Sequence, residues 1–302
     1  MTMIDQAPRS IAAGTGVGPV HLAVTDGARA LEFYRDTVGL TPLPADGGQI
    51  RLGVGGRELV VLHPGAAGAV PQGTTGLYHL AIVVPTRRDL ARFIARAATQ
   101  RYPNSPTDHV LTKSDYLWDH DGNGIEVYTE TPEDGSWGFA GDSFGAVDSA
   151  GRQRSGRDPI DLETLFAELR PGDRLEEPLP AGSHMGHVHL HVGHLADAVD
   201  FYHGLMGFDV MGISRRFGAA FVSAGGYHHH LGLNTWAGPG APPAPPELSG
   251  LRHFTVELPT EAEREAVLER LQRGGVPAEA VEGSHQVVDP SANRLQLRLR
   301  DG

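Results

Sequence analysis

Val188-His189-Leu190-His191-Val192 is a near copy of Val20-His21-Leu22-Ala23-Val24, and the match runs on at a constant offset. Phe33-Tyr34 is answered by Phe201-Tyr202, and Gly39 by Gly207. Each copy reads as a short strand, then an amphipathic helix (ALEFYRDTVG, AVDFYHGLMG) closed by glycine, then further strands. A second pair follows the same plan. Leu77-Tyr78-His79-Leu80-Ala81-Ile82 with Pro85 matches Leu251-Arg252-His253-Phe254-Thr255-Val256 with Pro259. Both run into a helix (RDLARFIARAAT, EAEREAVLERLQRGG) and end in a turn and strand, Asp121 to Tyr128 and Asp289 to Gln296. The chain therefore reads as four βαβββ modules, at 17–64, 75–130, 184–236 and 249–299.

The remaining segments read as connections. Residues 131–183 form a polar linker with one helix, DLETLFAEL, and GPGAPPAPPEL at 238–248 favours an extended path. The first 16 residues are expected to be disordered. The halves 17–130 and 184–302 then make two domains of two modules each.

Composition narrows the function. A net charge of −12 argues against nucleic acid or an anionic membrane surface as a partner, because phosphate binding needs a basic face. There is no cysteine, so any metal must sit on imidazole and carboxylate. The N-terminus lacks the features of a signal peptide, and no apolar run reaches transmembrane length, so a cytoplasmic enzyme is expected. Sixteen histidines are the unusual number. His187, His189 and His191 alternate along one strand, so three imidazoles project to one face, where burial is costly unless they are bonded or metal-bound.

One module cannot bury its own sheet, whereas two side by side make a cupped, barrel-like, eight-stranded α+β surface whose concave face can hold a metal. This arrangement resembles the vicinal oxygen chelate superfamily of glyoxalase, bleomycin-resistance and extradiol dioxygenase folds, over nearly the whole chain. The resemblance implies metal ligands on the first and last strands of paired modules, which places His79 and Glu126 as two of them. The third is His189 from module three or, alternatively, His21 from module one. Gln296 stands where Glu126 stands in module two, and an amide is a poor substitute for an anion. Pairing of modules two with three, and one with four, is therefore expected; sequential pairing is the alternative.

Among two-domain members the likeness is to catechol 2,3-dioxygenase-like proteins, carried by GLYHLAIVVP, DGNGIEVYTETP, MGHVHLHV and GGYHHHLGLNTW. It implies that His229 is an acid/base residue beside dioxygen, that Tyr116 bonds a substrate oxygen and that His109 helps to hold the substrate. Tyr227 and His230 depart from that motif, so the acid/base assignment is open to a slip of one residue. The implied cofactor is iron(II), with manganese, zinc or nickel as alternatives. The implied partners are a small aromatic diol and O2, with a homo-oligomer left open. The rival readings are a glyoxalase-like isomerase or lyase and a non-catalytic small-molecule binding protein.

Overall fold

The repeats become strands of matching burial. Module one supplies β1 (Gly16–Val24), β2 (Thr41–Leu43), β3 (Ile50–Val54) and β4 (Arg57–Pro64). Module two supplies β5 (Gly76–Val83), β6 (Ser105–Asp108), β7 (Thr112–Trp118) and β8 (Gly124–Glu130). The segment before module three holds β9 (Gly135–Ala140), β10 (Ser143–Asp148), β11 (Gln153–Arg154) and β12 (Asp158–Pro159). Module three gives β13 (His184–His191), β14 (Asp209–Ser214), β15 (Ala219–Ser223) and β16 (Leu231–Asn234). Module four gives β17 (Gly250–Leu258), β18 (Glu279–Val281), β19 (Ser284–Val288) and β20 (Arg294–Leu299). This computed structural model describes residues 10–45, 47–140 and 143–300.

Two large sheets result, and each takes one module from each half of the chain. One runs β12-β6-β7-β8-β5-β13-β16-β15-β14, the other β18-β19-β20-β17-β1-β4-β3-β2. The joints are antiparallel, β5 to β13 and β1 to β17. Modules two and three thus share a sheet, as do one and four, and the sequential halves 17–130 and 184–302 form no sheet of their own. Neither strand order returns to its start, so these are open sheets of nine and eight strands rather than closed eight-stranded barrels.

Strand alternation assigns the two faces of the nine-stranded sheet. Leu80, Ile82, Ile125, Val127, Val188 and Leu190 are fully buried in one core that spans both sheets, each side chain stabilising the fold by roughly 1.5–3 kcal/mol. The opposite face carries His79, Ala81, Glu126, Tyr128 and the three alternating histidines. The helix Arg87–Thr99, capped by the Thr86 side chain on the Asp89 amide, buries Leu90, Ala91, Phe93, Ile94 and Ala97, an apolar stripe of helical spacing. Its counterpart in module four, Glu261–Arg273, is capped the same way by Thr260.

The repeat also sets the contacts between sheets. Tyr34 donates to Asp119 at 3.2 Å, and Tyr202 donates to Asp289 at 3.0 Å, the same bond made twice. The helices of modules one and three end at Gly39 and Gly207, with φ of 93° and 91°, a conformation that costs glycine nothing. Among the described residues no helix is long and apolar enough to cross a membrane.

Two expectations are corrected here. Residues 10–16 are ordered: Ile11 is buried and its amide donates to Gly207 at 2.7 Å, while Ser10 bonds Asp209. Residues 1–9 lie outside the described residues. The segment 131–183 is also more than a linker. It folds a three-stranded sheet, adds β12 to the edge of the nine-stranded one, and includes a short helix, Leu162–Phe166.

Candidate metal centre

The centre of the nine-stranded sheet sets the site. Glu126 on β8 pairs in register with Ala81 on β5, and Ala81 pairs with His187 on β13. Ala81 offers only a methyl group between them, so the carboxylate and the imidazole meet above it. His79, two residues earlier on β5, projects from the same face. The Nε2 atoms of His79 and His187 are 3.2 Å apart, and each lies 3.1 Å from Glu126 Oε2. All three residues are buried.

This triangle fits a divalent cation. Its edges match one face of an octahedron with metal–ligand bonds of about 2.1–2.2 Å. Without a cation, two ring nitrogens and one oxygen share the available protons poorly, since two N–H groups aimed at one oxygen repel each other. Burial alone would push the Glu126 carboxyl up, but His187 and His79 outweigh it and hold it well below the usual range. Burial depresses the His187 imidazole, leaving a neutral ring with a lone pair to donate. Two imidazoles and one carboxylate form the two-His-one-carboxylate donor set that leaves positions open.

The neighbours of this cluster are the residues singled out in the sequence. Tyr116 pairs with Glu126 across β7 and β8, and its hydroxyl donates to His109 Nε2 at 2.8 Å. His109 Nδ1 in turn donates to the Gly156 carbonyl at 2.6 Å, which assigns its tautomer. Burial, reinforced by Glu126, holds the Tyr116 phenol protonated. His229 packs on His187, with ring centroids 4.1 Å apart, and its Nδ1 faces His228 Nδ1 at 2.8 Å. Burial and the neighbouring His187 keep its imidazole far below its ordinary range, so it stays neutral. His230 turns away and bonds Ser223 Oγ and the Ala224 amide.

These groups open into a cavity of about 610 Å³, within the range typical of small-molecule sites. Tyr78, Phe221, Trp118 and Trp236 line it, together with Trp137 and Phe144 from the segment between modules two and three. Tyr78 reaches the cavity because β5 bulges there: His79 and Leu77 pair with consecutive residues of β13.

Comparison with known proteins places this arrangement. The family model of the Glyoxalase/Bleomycin resistance protein/Dioxygenase superfamily matches residues 16–127 and 184–289. The chain belongs to this superfamily. A catechol-2,3-dioxygenase of Bacillus subtilis (strain 168) is 37% identical over 284 residues, 93% of this chain and 96% of that protein. This kinship supports a dioxygenase. Two solved structures share the fold. A Bacillus subtilis subsp. subtilis str. 168 protein, described only as a candidate dioxygenase, has a TM-score of 0.64 at 14% identity, covering 97% of this chain and 87% of its own. Glyoxalase I from Zea mays has a TM-score of 0.53 at 15% identity, covering 94% of this chain and 92% of its own.

Within this superfamily member the histidines expected as the third ligand stand apart from the cluster. His189 sits beside it, its ring edge-on to His79 at 5.0 Å between centroids and its buried Nε2 without a partner. It packs over Gly232, where any Cβ would lie 2.7 Å from its ring. His21 lies in the other sheet, bonded to His63 at 3.0 Å and stacked on His253 at 3.9 Å. Among the described residues it is His187 that converges with His79 and Glu126. Its presence in the alternating set was readable; its selection from that set was not. Trp137, Phe144 and Arg157 were missed altogether, since they come from a segment with no copy in the repeat.

Proposed function

We propose that this chain is an extradiol dioxygenase that opens a catechol-type aromatic diol with O2, using iron(II) held by His79, Glu126 and His187. The observation that carries the reading is the three-atom face of those residues, set beside a neutral, buried His229 in an aromatic-walled cavity. When bound, the metal supplies open positions for diol and dioxygen and lowers the pKa values of the diol oxygens.

The chain's own groups do the rest. Glu126 supplies one negative charge, which leaves a bound divalent cation net positive and able to favour an anionic diol. Tyr116 stays protonated and points its O–H at His109 Nε2, so its oxygen lone pairs are presented as an acceptor for a diol hydroxyl. His229 contributes a neutral imidazole able to take up or release a proton at the reacting oxygen. Its Nδ1 contact with His228 fixes the ring, because one of the two facing nitrogens must be the donor. His79, Glu126, His187 and His229 are themselves buried, and the low dielectric around them strengthens each of these interactions.

The test is oxygen uptake on catechol by protein prepared anaerobically, alongside its metal content. Iron near one per chain with uptake matched to ring-opened product supports the reading. Isomerisation of a thiol adduct with no oxygen consumed would replace it by the glyoxalase-type reaction.

A further inference from the structure

Among the described residues one lysine or arginine lines the cavity, Arg157. It follows Gly156, whose carbonyl accepts a hydrogen bond from His109 Nδ1, so it stands close to the reacting end. Its guanidinium lies over the Phe217 ring, 3.9 Å from the centroid. That contact is with an aromatic ring and takes up no hydrogen-bond acceptor, so the N–H donors remain available to a bound group. The adjacent acid does not neutralise it. Asp158 is bonded to Arg154 at 3.0 Å and to Ser155 at 2.7 Å, and Arg157 has no acidic partner among the described residues. The loop itself is anchored, since β12 pairs Asp158 with Asp108. An arginine without an acidic partner on the wall of an aromatic cavity, in a chain of net charge −12, is placed to pair with an anionic group on a bound molecule.

We infer that the substrate of this cavity is an aromatic diol bearing a carboxylate, with Arg157 as the counter-ion of that group. The inference rests on the dioxygenase reading for the diol and on Arg157 alone for the acid. Arg157 is open to solvent on one side, so the charge pair is partly screened. A preference of about fivefold over the uncharged analogue is the size expected of such a pair.

Binding can be read without turnover. The chain has three tryptophans, and Trp118, Trp137 and Trp236 all line the cavity, so its intrinsic fluorescence reports occupancy. Benzoate is titrated against its neutral isostere benzamide with the holoprotein, then with Arg157→Met and Arg157→Lys. The expected result is tighter binding of benzoate by the wild type, loss of that preference in Arg157→Met, partial retention in Arg157→Lys, and weakening at high salt. In parallel, the kcat/KM ratio of 3,4-dihydroxybenzoate over catechol should fall about fivefold in Arg157→Met. Equal binding of the two probes by the wild type, or a preference that survives in Arg157→Met, overturns the inference. Catechol turnover without any preference for the acid overturns it while leaving the dioxygenase reading intact. Benzoate preference without turnover of either diol leaves Arg157 as an anion site and removes the dioxygenase reading.

Discussion

His187 Nε2 lies 3.1 Å from Glu126 Oε2, across a strand whose intervening residue is Ala81. The contact joins modules two and three, and it sets His187, the proposed ligand, apart from the other histidines of β13. His187→Ala and Glu126→Ala should each drop metal content from about one per chain to near zero, because a two-ligand site binds divalent cations weakly. His189→Ala should keep most of the metal, and His21→Ala should keep all of it. Metal analysis after dialysis decides the matter. Retention in His187→Ala together with loss in His189→Ala would return the third ligand to His189.

His229 packs on a proposed ligand and is not one of the three converging donors. Replacing it by Phe or Asn should leave metal in place and reduce kcat by about 10²- to 10⁴-fold, the usual contribution of a general acid–base group. His230→Ala is the control, since that ring faces Ser223 rather than the cavity. A crippled His230→Ala beside a normal His229→Ala would show that the motif was aligned one residue out.

Tyr116 and His109 act as a pair. Tyr116→Phe removes both an acceptor for substrate and the donor to a buried imidazole nitrogen. It should slow turnover less than loss of His229 does, and lower stability by about 1–3 kcal/mol, the cost of an unsatisfied buried group. A double-mutant cycle with His109→Phe should show strong coupling in stability. Additive effects would mean that the bond contributes nothing.

The pH dependence of stability has a definite sign. Burial lowers the imidazoles of His21 and His228 to about 3 and those of His230 and His253 to about 4, from an ordinary value of 6.5. Below pH 6.5 the unfolded chain therefore binds protons that the folded chain refuses, so stability is full above 6.5 and is lost as pH falls toward 4. Glu126, held low, adds its loss at still lower pH. Calorimetry between about pH 7 and 5, a window in which most carboxylates stay ionised, should show Tm falling steadily. A flat Tm there would mean that these rings are hydrated.

Much of this molecule is legible in one dimension because it is a fourfold repeat. Four copies of strand, helix and strands announce their own boundaries, and the Thr86 and Thr260 caps or the Tyr34 and Tyr202 bonds recur because the packing recurs. His79, Glu126, Tyr116, His109 and His229 were candidates through the resemblance to the dioxygenase family, and the fold brings all five to one cavity. The sequence also placed His187, His189 and His191 on one face, since strand side chains alternate with a period of two. It could not choose among them. That choice depends on cross-strand register, which bulges at Gly186 and Tyr78 set and which no local pattern encodes. The pairing of modules, suggested by Gln296, became definite only when β5 met β13. Arg157, Trp137 and Phe144 were invisible as site residues for the same physical reason: their role comes from where a non-repeating segment crosses the cavity, and only long-range packing decides that.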